Sequence, residues 1–293
     1  MNIFNGLESI VDTDYPLAKH TWYRIGGPAD YFIRPDSVET LQEVVRRCRE
    51  NDLKHYVIGF GSNLLVSDQG VRGAVIKLET DHFKQSQFGQ ETLCAWAGAE
   101  LRTLVLTCVK KGFSGLETLA GIPGSIGGAV CMNAGGHFGD IGSVIESVTL
   151  MDKQGTVFEK HKPELSFDYR RNNITAPFIL NATMNLSPGD PEQIMRSVQE
   201  TWIYKKNNQP LNTRSCGCVF KNPRGQSAGA LIDRAGLKGL QIGAAKVSEK
   251  HANFIVAEPG CQSVDVRKLI DSVIKQIDEQ FNIELEMEIE IWE

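Results

Sequence analysis

The alternation of apolar and polar residues predicts a succession of helices and strands over the first 190 residues. A helix is predicted from Asp36, where Asp36 and Glu39 have the spacing of a capping box. Its expected buried face consists of Val38, Leu41, Val44, Val45 and Cys48. A second helix is expected to bury Leu101, Leu104, Val105 and Cys108. Apolar runs at 56–58, 74–78, 93–97, 144–151 and 178–184 predict strands between and after these helices.

After a break at residues 188–191, the pattern predicts three further helices and a final strand. Pro191 suits the first position of a helix, and we expect Ile194, Val198 and Trp202 to face inward. The other two helices are predicted over 227–235 and 264–281. Residues 283–291 alternate between apolar residues and glutamates, which predicts a strand with Glu284, Glu286, Glu288 and Glu290 on one side. The whole pattern indicates an α+β protein in three parts, residues 1–79, 80–190 and 191–293.

Two glycine-rich runs, at residues 59–65 and 121–136, interrupt this pattern. Glycine is concentrated where the backbone needs positive φ or where a ligand approaches it closely. Peptide N–H groups in such loops can hold phosphate oxygens. Two runs therefore predict a long cofactor with a diphosphate. The first run lies between two predicted strands and does not open a helix, which disfavours the Rossmann fingerprint.

Composition narrows the class of protein and its partners. The chain has 293 residues, 41% of them hydrophobic and 23% charged, with a net charge of −5. This charge gives no footprint for nucleic acid, and no run is long and apolar enough to predict a membrane span. Seven scattered cysteines favour reduced thiols and a cytoplasmic location, and six dispersed histidines predict no metal site.

Six sequence blocks spread over nearly the whole chain form one set. They are residues 21–30, 61–65 with Asp68, 121–135, Tyr169-Arg170, 216–223 and 248–254. In order and content they resemble the motifs of the UDP-N-acetylenolpyruvoylglucosamine reductases of the MurB type, also called UDP-N-acetylmuramate dehydrogenases. The chain looks like the shorter class of this family, because no segment resembles the extra tyrosine-bearing loop of the longer class.

The resemblance implies a fold, a cofactor and a reaction. The fold is a two-part FAD-binding domain of the vanillyl-alcohol-oxidase (PCMH) type, followed by a C-terminal α+β substrate domain. FAD is held without a covalent bond, and NADPH is the reductant. The reaction reduces the enolpyruvyl ether of UDP-N-acetylglucosamine to UDP-N-acetylmuramate, a cytoplasmic step of peptidoglycan synthesis and hence of cell wall biogenesis, cell shape and cell division.

The resemblance also implies the residues of the site. The residues expected to bind FAD are Arg24, Gly59, Gly61, Ser62, Asn63, Leu64, Gly121, Pro123, Gly124, Ser125, Gly127, Gly128, Asn133, Ala134 and Gly135. Lys221 and Asn222 are expected to face the sugar nucleotide. Arg170 is expected to hold the substrate carboxylate, since arginine can grip a carboxylate with two hydrogen bonds.

The expected proton donor is Cys218, where the family usually has a serine. A thiol is a stronger acid than a hydroxyl and is still mostly protonated at neutral pH, so it can serve as a general acid. A small buried structural cysteine is the alternative. The expected catalytic glutamate is Glu288, and the repeated pattern leaves Glu286 and Glu290 open as alternatives.

Two other functions remain compatible with the sequence. One is an FAD-dependent oxidase of the same superfamily, acting on an alcohol or sugar. The other is a regulatory protein that kept the nucleotide-binding fold and lost catalysis, for which Cys218 is the only support. The expected partners are small molecules, a sugar nucleotide and NADPH, and the expected state is a monomer or weak homo-oligomer.

Overall fold

The computed structural model describes residues 3–293, which form two compact units. The first unit comprises residues 3–14, 30–60 and 72–204, and the second comprises 15–29, 61–71 and 205–293. Within the described residues there are six α-helices: α1 Val38–Glu50, α2 Leu101–Lys111, α3 Ile126–Cys131, α4 Pro191–Asn208, α5 Ala228–Arg234 and α6 Ser263–Phe281. Among residues 3–293, no helix is long and apolar enough to cross a membrane.

The described residues also form twenty strands, many of them short. In chain order they are β1 Val11–Pro16, β2 Pro28–Ile33, β3 His55–Val57, β4 Leu64–Val66, β5 Val71–Ile76, β6 Ser86–Phe88, β7 Thr92–Trp96, β8 Phe113–Ser114, β9 Gly135–Gly136, β10 Gly139–Asp140, β11 Ile145–Met151, β12 Val157–His161, β13 Phe167–Asp168, β14 Arg171–Asn172, β15 Phe178–Asn185, β16 Ser187–Pro188, β17 Gln241–Ile242, β18 Ala245–Val247, β19 Ile255–Ala257 and β20 Glu290–Trp292.

The first unit is built on two sheets. Most of a four-stranded sheet with the order β1-β2-β5-β3 lies in this unit, and β3 and β5 run parallel. An antiparallel five-stranded sheet has the order β12-β11-β15-β7-β6. One hydrophobic cluster packs α1 against the first sheet, and another packs α2, α3 and the start of α4 against the second.

The first predicted helix is confirmed, but its cap is not the predicted one. Leu41, Val44, Val45 and Cys48 are fully buried, as the apolar period requires. The N-cap is Ser37, whose hydroxyl accepts from the Thr40 N–H. Asp36 lies one residue outside and binds the Thr40 hydroxyl instead. A serine is as good a cap as an aspartate, so the sequence pattern alone did not separate the two.

Helix α4 begins at Pro191 as predicted, and Ile194 and Val198 are buried. The prediction for Trp202 was wrong, because its side chain is 44% exposed. The buried row continues through Thr201 instead, since spacings of four and then three residues keep one face of a 3.6-residue helix turned inward.

The second unit packs α5 and α6 against the antiparallel sheet β17-β18-β19. The inner face of α6 consists of Val266, Leu269, Ile270, Val273 and Ile277, all essentially inaccessible to solvent. Burial of each such side chain is worth about 1.5–3 kcal/mol, so this face anchors the unit.

The predicted strand over 283–291 is largely wrong. Only β20 forms there, parallel to β4, with an isolated bridge between Met287 and Phe220 further upstream. The alternation of apolar residues and glutamates indicates which side chains are buried. A strand also needs a neighbouring strand along its whole length, and the alternation does not show whether one is present. The division into parts 1–79, 80–190 and 191–293 stays a prediction.

Candidate active site

In the first unit, the two glycine-rich runs meet at Gly59 and Ser125. A Cβ atom on residue 59 would lie 2.8 Å from the Ser125 hydroxyl oxygen. Ser125 is 3% exposed and caps α3, where its hydroxyl accepts from the Gly128 N–H at 3.4 Å. Gly128 is itself exposed. The fold therefore brings two segments predicted to bind the cofactor side by side, with bare backbone at their surface.

Part of the glycine content here serves the fold. The N–H groups of Ile126 and Gly127 donate to the carbonyls of Ala99 and Ala97, at 3.0 and 2.9 Å. A Cβ on Gly127 would lie 2.9 Å from the Ala97 side chain, so a glycine is needed for this close approach. Two peptide groups of the predicted phosphate-binding run are thus hydrogen-bonded within the protein.

Arg170 lies at the tip of a short hairpin formed by β13 and β14. Its φ of 52° is left-handed, a conformation that few non-glycine residues adopt. Its guanidinium donates to the carbonyl of Gly135 through Nη2 at 2.8 Å and to that of Asn133 through Nη1 at 3.4 Å. Arg170 is half-buried, whereas Arg171 is exposed. The structure thus distinguishes two arginines that chemistry alone does not.

Two asparagines tie this hairpin to the second glycine run. Asn133 is 1% exposed; its Nδ2 donates to the Asp168 carbonyl at 2.8 Å and its Oδ1 accepts from the Gly142 N–H at 3.0 Å. Asn172 donates through Nδ2 to the carbonyls of Val130 and Cys131, at 3.0 and 2.7 Å. The position of Arg170 is consequently fixed by side-chain bonds on both strands of the hairpin.

In the second unit, the 61–65 loop lies against the C-terminal segment. Asn63 donates through Nδ2 to the Glu288 carbonyl at 2.9 Å, and its own carbonyl accepts from the Glu290 N–H at 2.9 Å. At Gly61, where φ is 62°, a Cβ would lie 2.0 Å from the His20 carbonyl oxygen, so only glycine fits. The pairing of β4 with β20 extends this contact. A loop predicted to bind the cofactor thus lies beside the predicted catalytic glutamate.

The segment that carries Cys218 is bonded to the same C-terminal segment. The Glu288 N–H donates to the Val219 carbonyl at 2.7 Å, and the Lys221 N–H donates to the Glu286 carbonyl at 2.8 Å. Cys218 is partly exposed. The structure therefore places the backbone of the two predicted catalytic residues of this unit in adjacent, hydrogen-bonded segments.

Cys216 differs from Cys218 although only one residue separates them. Cys216 is fully buried, and its thiol donates to the Leu64 carbonyl at 3.0 Å. Burial raises the pKa of Cys216 to about 12, which keeps it a protonated thiol. Its environment fits a structural donor, and that leaves Cys218 as the accessible thiol of the motif.

The four glutamates of the C-terminal segment are not equivalent. Glu284, Glu286 and Glu290 are exposed, and Glu288 is the partly buried one. Glu286 forms an ion pair with Lys221 at 2.5 Å between Nζ and Oε1. Of the three glutamates considered from the sequence, Glu288 is thus the one that differs in burial.

Asn222, which is expected to face the sugar nucleotide, accepts the Ala228 N–H through Oδ1 at 3.0 Å, next to the start of α5.

The second unit also contains Arg24, which was predicted to bind FAD, and His251. Arg24 is exposed, has φ of 59°, and donates to the Lys19 carbonyl at 2.9 Å. His251 is partly buried, its Nδ1 accepts the Asn253 N–H at 3.3 Å, and burial lowers the pKa of His251. A neutral histidine that accepts a backbone bond fits a structural role. Among residues 3–293, no group of three or more His, Cys, Asp or Glu side chains is placed to hold a metal ion.

Sequence reasoning missed two residues that shape the site. Asn172 braces the arginine hairpin, and Asn253 contacts the segment after Cys218, with Nδ2 donating to the Phe220 carbonyl at 2.8 Å. Asn253 lies in the 248–254 block, and Asn172 follows Arg170 by two residues. Their type gave a signal, since an asparagine that is wholly or partly buried must satisfy its amide, but their partners are distant in sequence.

Comparisons with known proteins identify the domains and the family of this chain. Residues 29–160 match the family model of the FAD binding domain, and residues 209–292 match that of the UDP-N-acetylenolpyruvoylglucosamine reductase C-terminal domain. A UDP-N-acetylenolpyruvoylglucosamine reductase from Bacillus subtilis (strain 168) is 41% identical over 281 residues, covering 94% of this chain and 92% of that protein.

Two solved structures complete the comparison. The crystal structure of UDP-N-acetylenolpyruvylglucosamine reductase (MurB) from Thermus caldophilus is 36% identical, with a TM-score of 0.83 over 97% of this chain and 98% of that one. The glucose dehydrogenase Phl p 4.0202 is 16% identical, with a TM-score of 0.52 over 65% of this chain and 45% of that one. At that identity, the second likeness extends to the fold alone.

The residues present fit the FAD that the first family model implies. Where a Cβ on Gly128 would stand, the nearest atom is the Ser125 hydroxyl oxygen at 3.6 Å, so exposed backbone is open to a ligand beside the Gly59 contact. The predicted α+β fold with an FAD-binding domain is confirmed, as is the predicted class of flavin-dependent oxidoreductase. Because two family models together span most of its length and a relative is 41% identical over 94% of it, this chain belongs to the UDP-N-acetylenolpyruvoylglucosamine reductase family.

Proposed function

We propose that this chain reduces the enolpyruvyl ether of UDP-N-acetylglucosamine to UDP-N-acetylmuramate, with NADPH as the reductant. Its family membership supports this reaction. The observation that carries the residue assignment is the bond between Glu288 and Val219, which joins the glutamate segment to the segment of Cys218. The two glycine-rich runs would hold FAD, which would supply the hydride chemistry between NADPH and the methylene carbon of the enolpyruvyl group.

The residues of this chain manage the charge and the proton of that reduction. As the new C–H bond forms, the π bond breaks and its electron pair moves onto the carbon attached to oxygen and into the carboxylate. Arg170 holds that carboxylate with its planar guanidinium and stabilises the added charge. Its bonds to the carbonyls of Gly135 and Asn133 set the plane of the guanidinium before substrate arrives.

Cys218 completes the reduction by donating its thiol proton to the carbon attached to oxygen. A second C–H bond forms, and the thiolate left behind takes a proton from solvent, to which its partly exposed position gives access. Glu288 hydrogen-bonds the substrate beside Cys218 from a partly buried position.

The remaining predicted residues bind the two nucleotides. The residues proposed to hold FAD are those expected from the sequence: Gly59, Gly61, Ser62, Asn63, Leu64, Gly121, Pro123, Gly124, Ser125, Gly127, Gly128, Asn133, Ala134, Gly135 and Arg24. Lys221 and Asn222 contact the sugar nucleotide. Lys221 reaches the substrate diphosphate by exchanging its ion pair with Glu286, a partner whose side chain is 56% exposed and easily hydrated.

The cellular setting is part of the same proposal. Seven free cysteines suit a reducing compartment, which supports the cytoplasm as the location. We infer a monomer or weak homo-oligomer, and a division into two FAD-binding parts, 1–79 and 80–190, and a substrate part, 191–293. Each of three hydrophobic clusters among the described residues is drawn mainly from one of these parts, which supports a division into three, although every cluster also includes some residues from another part.

The test is NADPH oxidation by the purified yellow protein under nitrogen, with and without the enolpyruvyl sugar nucleotide. We expect turnover that requires the enolpyruvyl compound and yields UDP-N-acetylmuramate in equal amount. Turnover that appears only in air would identify a flavin oxidase instead. Flavin binding without either turnover would point to the regulatory alternative.

A further inference from the structure

Asn253 replaces a missing strand neighbour for the peptide of Phe220. Its side chain is 3% exposed and its amide makes two bonds to one residue: Nδ2 donates to the Phe220 carbonyl at 2.8 Å, and Oδ1 accepts the Phe220 N–H at 2.9 Å. The main chain adds a third bond, since the Asn253 carbonyl accepts the Val219 N–H at 2.8 Å. A single carboxamide thus does what a paired strand does in a sheet.

The opposite edge of the same segment is bonded to the C-terminal segment. The Val219 carbonyl accepts the Glu288 N–H at 2.7 Å, and the Lys221 N–H donates to the Glu286 carbonyl at 2.8 Å. Phe220 and Met287 form the bridge between the two segments. Residues 219–221 are therefore held from both sides, and Cys218 is the residue directly before this fixed stretch.

We propose that Asn253 is a positioning residue that fixes the Cys218 thiol, and the Glu288 backbone bonded to Val219, for protonation of the substrate. This proposal rests on the proposed function, in which Cys218 supplies the proton. Asn253 touches neither the reacting atoms nor the cofactor in this scheme. It acts through the Phe220 peptide, two residues from the thiol in the chain.

The chemistry of the side chain explains why asparagine is required. Only a carboxamide of this length offers a donor and an acceptor spaced to meet the N–H and the carbonyl of one residue. In an Asn253→Asp variant, an ionised carboxylate keeps the acceptor and loses the donor. One of its oxygens then faces the Phe220 carbonyl oxygen in a buried site, where no hydrogen bond can form between them. A protonated aspartic acid restores one donor, and burial raises the pKa of such a group.

The first experiment compares the two half-reactions of the FAD-loaded Asn253→Asp variant under nitrogen by stopped-flow absorbance. Bleaching of the flavin by NADPH needs no proton from Cys218, whereas its reoxidation by the enolpyruvyl sugar nucleotide does. We expect bleaching within about twofold of wild type and reoxidation about 10–100-fold slower, because misplacement of a reacting group by about 1 Å has that cost. Reoxidation is expected to recover as the pH is lowered from about 8 to about 6, when the aspartate becomes protonated.

The second readout does not depend on turnover. Alkylation of Cys218 by iodoacetamide, followed by mass spectrometry of its peptide, is expected to be at least about threefold faster in Asn253→Asp, since local release of a segment raises access. Alkylation of Cys261, a partly exposed thiol on another segment, serves as the internal reference. If Asn253→Asp does not fold, Asn253→Ser takes its place, because the serine side chain is smaller and its hydroxyl can form one hydrogen bond.

Ser248→Ala is the matched control in the same loop. Ser248 is 5% exposed and its Oγ accepts from the N–H groups of Lys250 and His251, so both of these bonds stay within the loop. We expect this variant to leave both half-reactions within about twofold of wild type. Equal slowing of both half-reactions in the Asn253 variants, or unchanged reoxidation and unchanged Cys218 alkylation, would overturn the proposal. If wild type itself shows no reoxidation by the enolpyruvyl compound, the proposed function fails rather than the role of Asn253.

Discussion

Each of the two units holds a predicted catalytic residue in place with one buried asparagine, but the two amides act differently. In the first unit, Asn133 joins two segments, since it donates to the Asp168 carbonyl of the arginine hairpin and accepts from the Gly142 N–H. In the second unit, Asn253 closes both amide bonds on Phe220. One amide links separate pieces of chain, and the other completes the edge of a single piece.

The difference shows two ways to hold a side chain that needs a fixed position. Arg170 has a long side chain on a tight turn, so both the turn and the guanidinium must be held in place. Asn133 holds both: its Nδ2 donates to the Asp168 carbonyl beside the turn, and its main-chain carbonyl accepts from the Arg170 guanidinium. Cys218 has a short side chain, so its position follows from the backbone alone. Fixing the neighbouring peptide is then sufficient.

The largest effect is expected at the guanidinium held in the first unit. Arg170→Ala is expected to lower kcat about 10²–10³-fold, because a donor to the developing charge is lost. Arg171→Ala, at an exposed neighbour, is expected to stay within about twofold of wild type. Steady-state NADPH oxidation under nitrogen measures both. Equal losses in the two variants would mean that the fixed position of Arg170 has no part in the chemistry.

A comparable loss is expected at one glutamate of the second unit. Glu288→Ala is expected to lower the rate of flavin reoxidation by the enolpyruvyl compound about 10²-fold, since a preorganised hydrogen bond to the reacting group contributes about 10²–10³-fold. Glu286→Gln removes only the exposed ion pair with Lys221, so we expect a KM effect of about threefold or less. The same stopped-flow assay separates them. A larger loss of activity on substitution of Glu286 or Glu290 would assign the catalytic role to that glutamate instead of Glu288.

The linking amide of the first unit is expected to affect stability. Asn133→Ala removes a buried side chain and leaves the Asp168 carbonyl and the Gly142 N–H without this partner at a partly buried site, which should cost about 2 kcal/mol of unfolding free energy. Asn173 is the matched control, because it also makes two side-chain bonds to backbone, to Ser166 and Glu164, at an exposed position. For Asn173→Ala we expect about 1 kcal/mol or less, measured by urea denaturation. Similar costs for both would remove burial from the explanation.

The smallest effect concerns pH and the loop that carries Asn253. Burial lowers the pKa of His251, so the unfolded chain takes up a proton at a higher pH than the folded chain does. Stability should therefore fall as the pH drops below about 6.5. His251→Gln should reduce this dependence of stability on pH. At pH 8, where both the histidine and the glutamine are uncharged, only a constant difference in unfolding free energy between the two proteins should remain. An unchanged slope in urea denaturation between pH 8 and pH 5 would contradict this.

Much of the fold followed from periodicity alone. The apolar positions of α1, α2 and α6 lie where a 3.6-residue period places them. The motifs also identified the family, because their order over the whole chain is specific. These features are local, or they are carried by residue types that few other sites require.

The rest depended on contacts between distant segments. Alternation over 283–291 indicated a strand but not that its partners would be β4 and a single bridge at Phe220. The separation of Arg170 from Arg171, and of Glu288 from Glu286, emerged only from burial in the folded chain. Asn253 and Phe220 are 33 residues apart, so no local pattern reports their pairing. In this protein, the geometry of the site is therefore set by contacts between residues that are far apart in the sequence.

The most direct single measurement is flavin reoxidation by the enolpyruvyl sugar nucleotide under nitrogen in wild type, Cys218→Ser and Cys218→Ala. Because the thiol is proposed to supply the proton, we expect the serine variant to retain substantial activity and the alanine variant to be slower by about 10²-fold or more. Reduction of the flavin by NADPH should be the same in all three proteins. An alanine variant that is reoxidised at the wild-type rate would remove Cys218 from the reaction.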